Sequence, residues 1–491
     1  MKETKWEALR SKIQADMTRA LGDEKRALEY TDEMMRALRE FYSIYDGGLV
    51  DWFAGLYEPS IRFDSEDKVL AERYSGGAGF YYSNSARDNY SVERDGNTYQ
   101  LLPDAETTSQ VFGFLSRSGM LDEACGDIRA AFPDGEPEKI IRFLKALQDE
   151  RTGYFYHPQW LSMLGTPNYW DSRQSRDLTY AVSALSKLGS APTYRTLTGK
   201  KGDGIRYDGV RIDTACEADG SKVGEGEKQT SYVHPRLEST ESFAEYLKTL
   251  NLAGNSYFVG NELTALSGQI LHRDKQLATE DNPRPLATML INWLNENQIA
   301  EKGYWHDDVK NPPSSPYYAT NGLLKIATLY NNLKMPFPNP LPAARSAFNV
   351  ITSDVPINHV CDLYNTWFIV VMMAINLRQY SGNPALADEI IAGIRLEAIP
   401  AVYATAKKMR AHRKGDGSFS YFANRSSFTS QNAPVAIKDT NEGDVNATVI
   451  FTYGILGFMF EALDFGEPIP ICDDSDRIKF KRLIEEKIKN Q

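Results

Sequence analysis

Acidic side chains stand where apolar segments begin in this chain of 491 residues: Asp104 and Glu106, Asp177, Asp362, and Asp444. Rings gather in the turns that precede such segments, namely Tyr82, then Tyr154, Tyr156, His157 and Trp160, then Tyr304, Trp305 and His306, then Tyr421. Arg173, Arg176, Asn321, Asn365 and Asn446 lie at or beside the same helix starts. Rings next to carboxylates, amides and guanidinium groups suit a sugar, whose C–H faces stack on aromatics while its hydroxyls need fixed donors and acceptors. Hydrolysis of a glycosidic bond takes two carboxyl groups, one of them kept protonated. Asp177 and Asp444 are the first candidates, then Glu106, with Asp171, Asp307 and Glu442 in reserve. Elimination from a uronic acid takes instead a phenol or imidazole base and a cation on the carboxylate, for which Tyr154, Tyr156, His157, Arg173 and Arg176 are at hand. Capping a helix is the competing role for any single carboxylate. Convergence of several is what favours a site.

Other chemistries find less. His306-Asp307-Asp308 contains metal-ligand types, but neighbours on one loop rarely all point inward, so no metal is expected. No glycine cluster follows a strand and opens a helix, so no phosphate-bearing cofactor is expected either. A net charge of −11 and a pI near 5.3 argue against a nucleic-acid partner, which needs a basic field. Cys125, Cys216, Cys361 and Cys472 are too scattered for a disulfide framework, and the charged start Met1-Lys2-Glu3-Thr4-Lys5-Trp6 has no apolar signal core. A cytoplasmic location is the expectation. The longest apolar run, 367–375, falls short of the roughly 20 residues that span a membrane, so no membrane partner is expected. Oligomeric state leaves no trace in the sequence.

The elements that must hold these residues repeat. Ile140, Phe143, Leu144 and Leu147 follow helical spacing with charged residues between them, predicting an outer, half-wet helix. An aromatic turn from Gly153 follows, and then 177–188, small or apolar on nearly every side, predicts a buried helix. The same order recurs from Gly79 to Asp104, from Gly303 to Asn321 and from Gly417 to Asp444, over 25, 18 and 27 residues against 24 from Gly153 to Asp177. Four copies mark an internal repeat. Two more buried helices, 261–271 and 368–377, lack the glycine turn. The fold predicted is all-α with minor β: an (α/α)6 toroid of about six helical hairpins, with short strands near 78–102 and an irregular insertion at 190–238. Residues 1–56 should form an N-terminal helical hairpin on the main body, 57–472 the toroid with 190–238 as its lid or loop, and 473–491 a C-terminal helix.

The run Leu147-Gln148-Asp149-Glu150-Arg151-Thr152-Gly153-Tyr154-Phe155 resembles the repeat turn of terpene-cyclase and protein-prenyltransferase toroids, where a Gln and a Gly-aromatic pair follow each outer helix. It is similar also to the hairpin joints of six-hairpin glycosidases and toroidal polysaccharide lyases. The resemblance implies their shared ring over about three quarters of the chain. The cyclase motif Asp-x-Asp-Asp is missing, Cys472-Asp473-Asp474-Ser475-Asp476 departing from it, and Cys361-Asp362 has no matching zinc-ligand His near 444–446. The expected function is therefore cleavage of a small oligosaccharide at the mouth of the ring, by hydrolysis first and elimination second. A non-catalytic sugar-binding or isoprenoid-type protein is the third expectation.

Overall fold

The computed structural model describes residues 2–45, 47–121, 126–164, 173–196, 200–212, 235–311 and 315–490. Asp171, Cys125, Cys216 and most of the expected lid, including 213–234, lie outside them. The protein is mostly helical, with 60% helix against 6% strand. It divides into two compact units, each assembled from three stretches of chain.

The first unit comprises Met1–Ile44, Lys228–Arg410 and Gly454–Ile469. Helices Leu252–Leu277, Tyr317–Leu333, Val360–Tyr380 and Ile455–Ala462 pack side by side in that order. Helices Pro285–Asn297, Pro340–Thr352 and Pro384–Glu397 alternate with them along the chain and pack on that row. Each of the three opens with proline at a position whose N–H has no helical partner. Val360–Tyr380 is apolar and long enough to cross a membrane, but 67% of that window is buried inside the protein, as in a core helix. The amphipathic pair Lys2–Leu21 and Glu24–Tyr42 breaks at Gly22 (φ +63°) and Asp23, whose carboxylate caps the second helix. Glu24–Tyr42 then lies against Ile399–Arg410. Two sequence patterns resolve differently here. The apolar spacing that runs from Asp388 to Arg410, which by itself predicts one helix, forms two, because Pro400 cannot donate to the carbonyl of Leu396. The helix expected at 261–271 begins at Leu252 and is kinked at Asn255.

The second unit comprises Tyr45–Glu227, Ala411–Tyr453 and Pro470–Gln491. Its central helix Ala105–Arg117 has Gln174–Lys187 and Val445–Val449 as neighbours, and Glu136–Ala146 packs outside Gln174–Lys187. Short antiparallel pairs join 57–58 to 79–80 and 91–94 to 97–100, the latter around the positive-φ turn Asp95-Gly96. Helix Asp474–Lys489 starts with a capping box between Asp473 and Asp476 and packs on Leu49–Gly55 through this unit's core.

The repeated turn is a physical unit. Gly153, Gly303 and Gly417 adopt φ of +71°, +70° and +88°. Gln148 pairs with Phe155 and Ile299 with Tyr304, while Gln148 and Gln298 each donate a side-chain hydrogen bond to the carbonyl five residues on, that of Gly153 or Gly303. A Cβ on Gly153 would lie 2.4 Å from the Arg195 carbonyl oxygen, and one on Gly303 would lie 2.3 Å from the Ala343 nitrogen. Only glycine meets both demands.

Candidate functional site

The starts of three neighbouring helices in the second unit bring together most of the expected catalytic residues. Asp104 caps Ala105–Arg117, its two oxygens accepting from the Thr107 N–H at 2.8 Å and the Thr107 hydroxyl at 2.6 Å. Glu106 follows in the first turn. Asp177 lies in the first turn of Gln174–Lys187, and Asp444 caps Val445–Val449. All four carboxyl groups are buried.

Arg173 binds three of them, Asp104, Glu106 and Asp177, into one network. With 1% of its side chain exposed, it donates to Asp177 at 2.5 Å and to Glu106 at 2.9 Å, and its Nη2 lies 3.9 Å from Asp104. Arg176, 32% exposed, closes a two-point pair on Glu106, and the Ser430 hydroxyl adds a hydrogen bond at 3.2 Å. The guanidinium of Arg173 also sits 4.6 Å from the Trp160 ring, whose indole N–H reaches Asp177 at 3.4 Å. His157 also stacks on Trp160: its ring lies 4.2 Å from the indole, Nε2–H donates to the Pro103 carbonyl at 2.7 Å, and Nδ1 accepts from the Gln159 N–H at 3.2 Å. Burial pushes the His157 pKa down to about 3, so the ring is neutral and both nitrogens are used.

The carboxyl groups are driven apart in protonation. Burial alone would raise Glu106, but Arg173 and Arg176 outweigh it and hold the group below its ordinary value, ionised. Burial raises Asp104 to about 6 and Asp444 to about 7, and it raises Asp177 against the pull of Arg173. Asp444 accepts from the Ala447 N–H and the Tyr421 N–H, each at 2.8 Å, and from the Tyr82 hydroxyl at 3.1 Å. Tyr82 is itself pushed well above the ordinary phenol value by burial and by both Asp444 and Glu106. The phenol thus touches the protonatable carboxyl group of Asp444 and feels the charge of the ionised Glu106.

The remaining expected residues fall in several places. Asn446 accepts from Gln110 at 3.1 Å and belongs to the network, and Tyr421 supplies the backbone donor already named. Tyr154 and Tyr156 stay in the glycine turn with ring centres 6.3 Å apart, the Tyr156 hydroxyl 3.2 Å from that of Thr152. Tyr304, Trp305, His306, Asn321 and Asn365 belong to the first unit. There Trp305 is a core ring donating to the Leu294 carbonyl at 2.7 Å, Tyr304 donates to Asp308 at 2.5 Å, and His306 Nε2 lies 2.9 Å from the Asn311 carbonyl. Asn365 donates to Asn321 at 3.0 Å, and Asn321 reaches Asp362 at 3.5 Å. Gln110, Ser430 and Tyr180, the last hydrogen-bonded to Gln110, also belong to the network and carry no motif in the sequence, although Gln110 stands four residues after Glu106 on the same helix face. Among the described residues no group of three His, Cys, Asp or Glu side chains is placed to hold a metal ion. No family model, curated protein or solved structure matches this chain.

Proposed function

We propose that the protein is a carbohydrate-active enzyme, a glycoside hydrolase that cleaves a small oligosaccharide at the helix starts of its second unit. The observation that carries the reading is the contrast between Glu106, kept ionised by two arginines, and Asp444, raised to about 7 and hydrogen-bonded to Tyr82, at the starts of two neighbouring helices. Such a split between two carboxyl groups is what acid–base cleavage of a glycosidic bond uses. On this reading Asp444 is the proton donor, Glu106 the carboxylate and Asp177 the group that holds Arg173 in place. His157 keeps Trp160 in position. It has no ring nitrogen left to act as the base of an elimination, which places the lyase reading second. The side-by-side helices within each unit support the further proposal that the repeats build an (α/α)6 toroid.

A non-catalytic sugar-binding protein is the other reading, favoured by the full hydrogen bonding of Asp444. Turnover of reduced-end-labelled neutral oligosaccharides separates the two. A hydrolase should release products at a rate that falls as pH rises through about 7, where Asp444 loses its proton, and Glu106→Gln should lower kcat by at least about 100-fold. Sugar binding with no turnover, unchanged in Glu106→Gln, would leave the binding reading instead.

A further inference from the structure

Gln110 is 6% exposed, and its side-chain carbonyl oxygen has no hydrogen-bond partner among the described residues. Its amide nitrogen is committed, donating to Asn446 Oδ1 at 3.1 Å and to Glu106 Oε1 at 3.4 Å. Rotating the amide by half a turn would not help. It would set the Gln110 oxygen against the Glu106 carboxylate, which is held ionised and has no proton to give. The orientation is therefore fixed, and a buried acceptor is left without a partner in a network whose members Asn446, Tyr180 and Arg176 are only half-buried. A buried carbonyl without a partner is costly, and groups in this position are completed by a ligand or by ordered water.

The charge around it selects the ligand. Two guanidinium groups, Arg173 and Arg176, face three carboxyl groups, Asp104, Glu106 and Asp177, and the charge of each guanidinium is already matched by an ion pair, although the Arg173 Nε–H has no partner among the described residues. No positive charge is left over for an anionic substrate, whose carboxylate would also have to leave water beside Glu106. A neutral hydroxyl meets both conditions: it donates to the vacant oxygen and brings no charge.

We infer that the site takes a neutral sugar, excluding uronic acids, and that Gln110 Oε1 is the acceptor for one of its hydroxyl groups, which makes Gln110 a specificity-determining residue. This rests on the carbohydrate reading above and narrows it.

The test is calorimetric titration of the full-length protein with neutral gluco-, galacto-, manno- and xylo-oligosaccharides and with the matching oligouronates. At least one neutral series should bind, at least about tenfold more tightly than its uronate counterpart. Monodeoxy versions of the bound sugar should then include one position whose removal costs about tenfold in Kd in the native protein and nothing further in Gln110→Met, which keeps the side chain's length without its acceptor. Preference for a uronate, or equal binding of all deoxy sugars by the native protein, would overturn the inference while leaving the carbohydrate reading intact. Full affinity in Gln110→Met would overturn the role of Gln110. Failure of every sugar to bind a protein that melts cooperatively would remove the carbohydrate reading itself. Should Gln110→Met not fold, the deoxy series on the native protein decides alone.

Discussion

Because Arg173 is almost wholly buried among Asp104, Glu106 and Asp177, its removal would strand carboxylates that no water reaches. Arg173→Met should destabilise the protein by about 3–5 kcal/mol in urea unfolding at pH 7, as breaking a buried ion pair does. A loss under about 1 kcal/mol would mean the carboxyl groups simply take up protons. The pH dependence carries opposite signs for different groups. Glu106, lowered in the folded state, adds stability above its unfolded value that is lost as pH falls. Asp104 and Asp444, raised to about 6 and about 7, act the other way: their contribution is complete below an unfolded pKa of about 4 and disappears as pH rises to those values. Asp444→Asn cannot ionise. Relative to the native protein, it should therefore gain stability between pH 4 and pH 8, by up to a few kcal/mol, even if its amide fits poorly opposite the Tyr421 N–H. Parallel stability curves for the two proteins across that range would show that Asp444 does not titrate there.

At the scale of elements, the glycine turns separate two effects that are usually confounded. Gly153 and Gly189 have nearly the same φ, +71° and +69°, but a Cβ on Gly153 would strike the Arg195 carbonyl while one on Gly189 meets nothing within 4 Å. Gly189→Ala should cost about 1–2 kcal/mol, the left-handed penalty alone. Gly153→Ala should cost clearly more, because the chain at Arg195 must also move, and equal costs in urea unfolding would show that it moves freely. These turns were legible in the sequence because their signals are local: glycine, a ring, and an Asp or Asn helix start 18 to 27 residues on. Asp104 and Asp444 as caps, and Asp177 in a first turn, were legible for the same reason. The pairing of Glu106 with Arg173 and Arg176 was not, since some 70 residues separate them and nothing local marks the partner. Ser430 lies farther still from Glu106. The break at Ala398 was hidden by a continuous apolar period on both sides, although Pro400 was there to announce it. Trp305 and His306 matched the ring-and-imidazole pattern of Trp160 and His157, but in that copy the indole N–H turns to a helix carbonyl and no carboxylate receives it.

At the scale of the whole chain, neither unit is a continuous segment. The chain passes from one to the other after Ile44, Glu227, Arg410, Tyr453 and Ile469. The second unit draws Glu106, Arg173 and Asp177 from its first stretch, Ser430 and Asp444 from its second, and its last helix from the third. Cutting the gene between codons 227 and 228 would therefore leave two fragments of roughly equal length, neither holding a complete unit. Fragment 1–227 would retain Arg173 with its three carboxylates but lose Val445–Val449, the neighbour of Ala105–Arg117, along with Asp474–Lys489. Its core would be open along that face, and the apolar burial that offsets chain entropy would be incomplete. Each fragment alone should show reduced helical circular dichroism and no cooperative melt, while co-expression should recover a complex that melts cooperatively, since the missing contacts are supplied in trans. A cooperative melt from fragment 1–227 by itself would mean that residues 411–453 and 470–491 are dispensable to the unit. The ion-pair network around Arg173 would then be sustained by Asp104, Glu106, Arg176 and Asp177 alone.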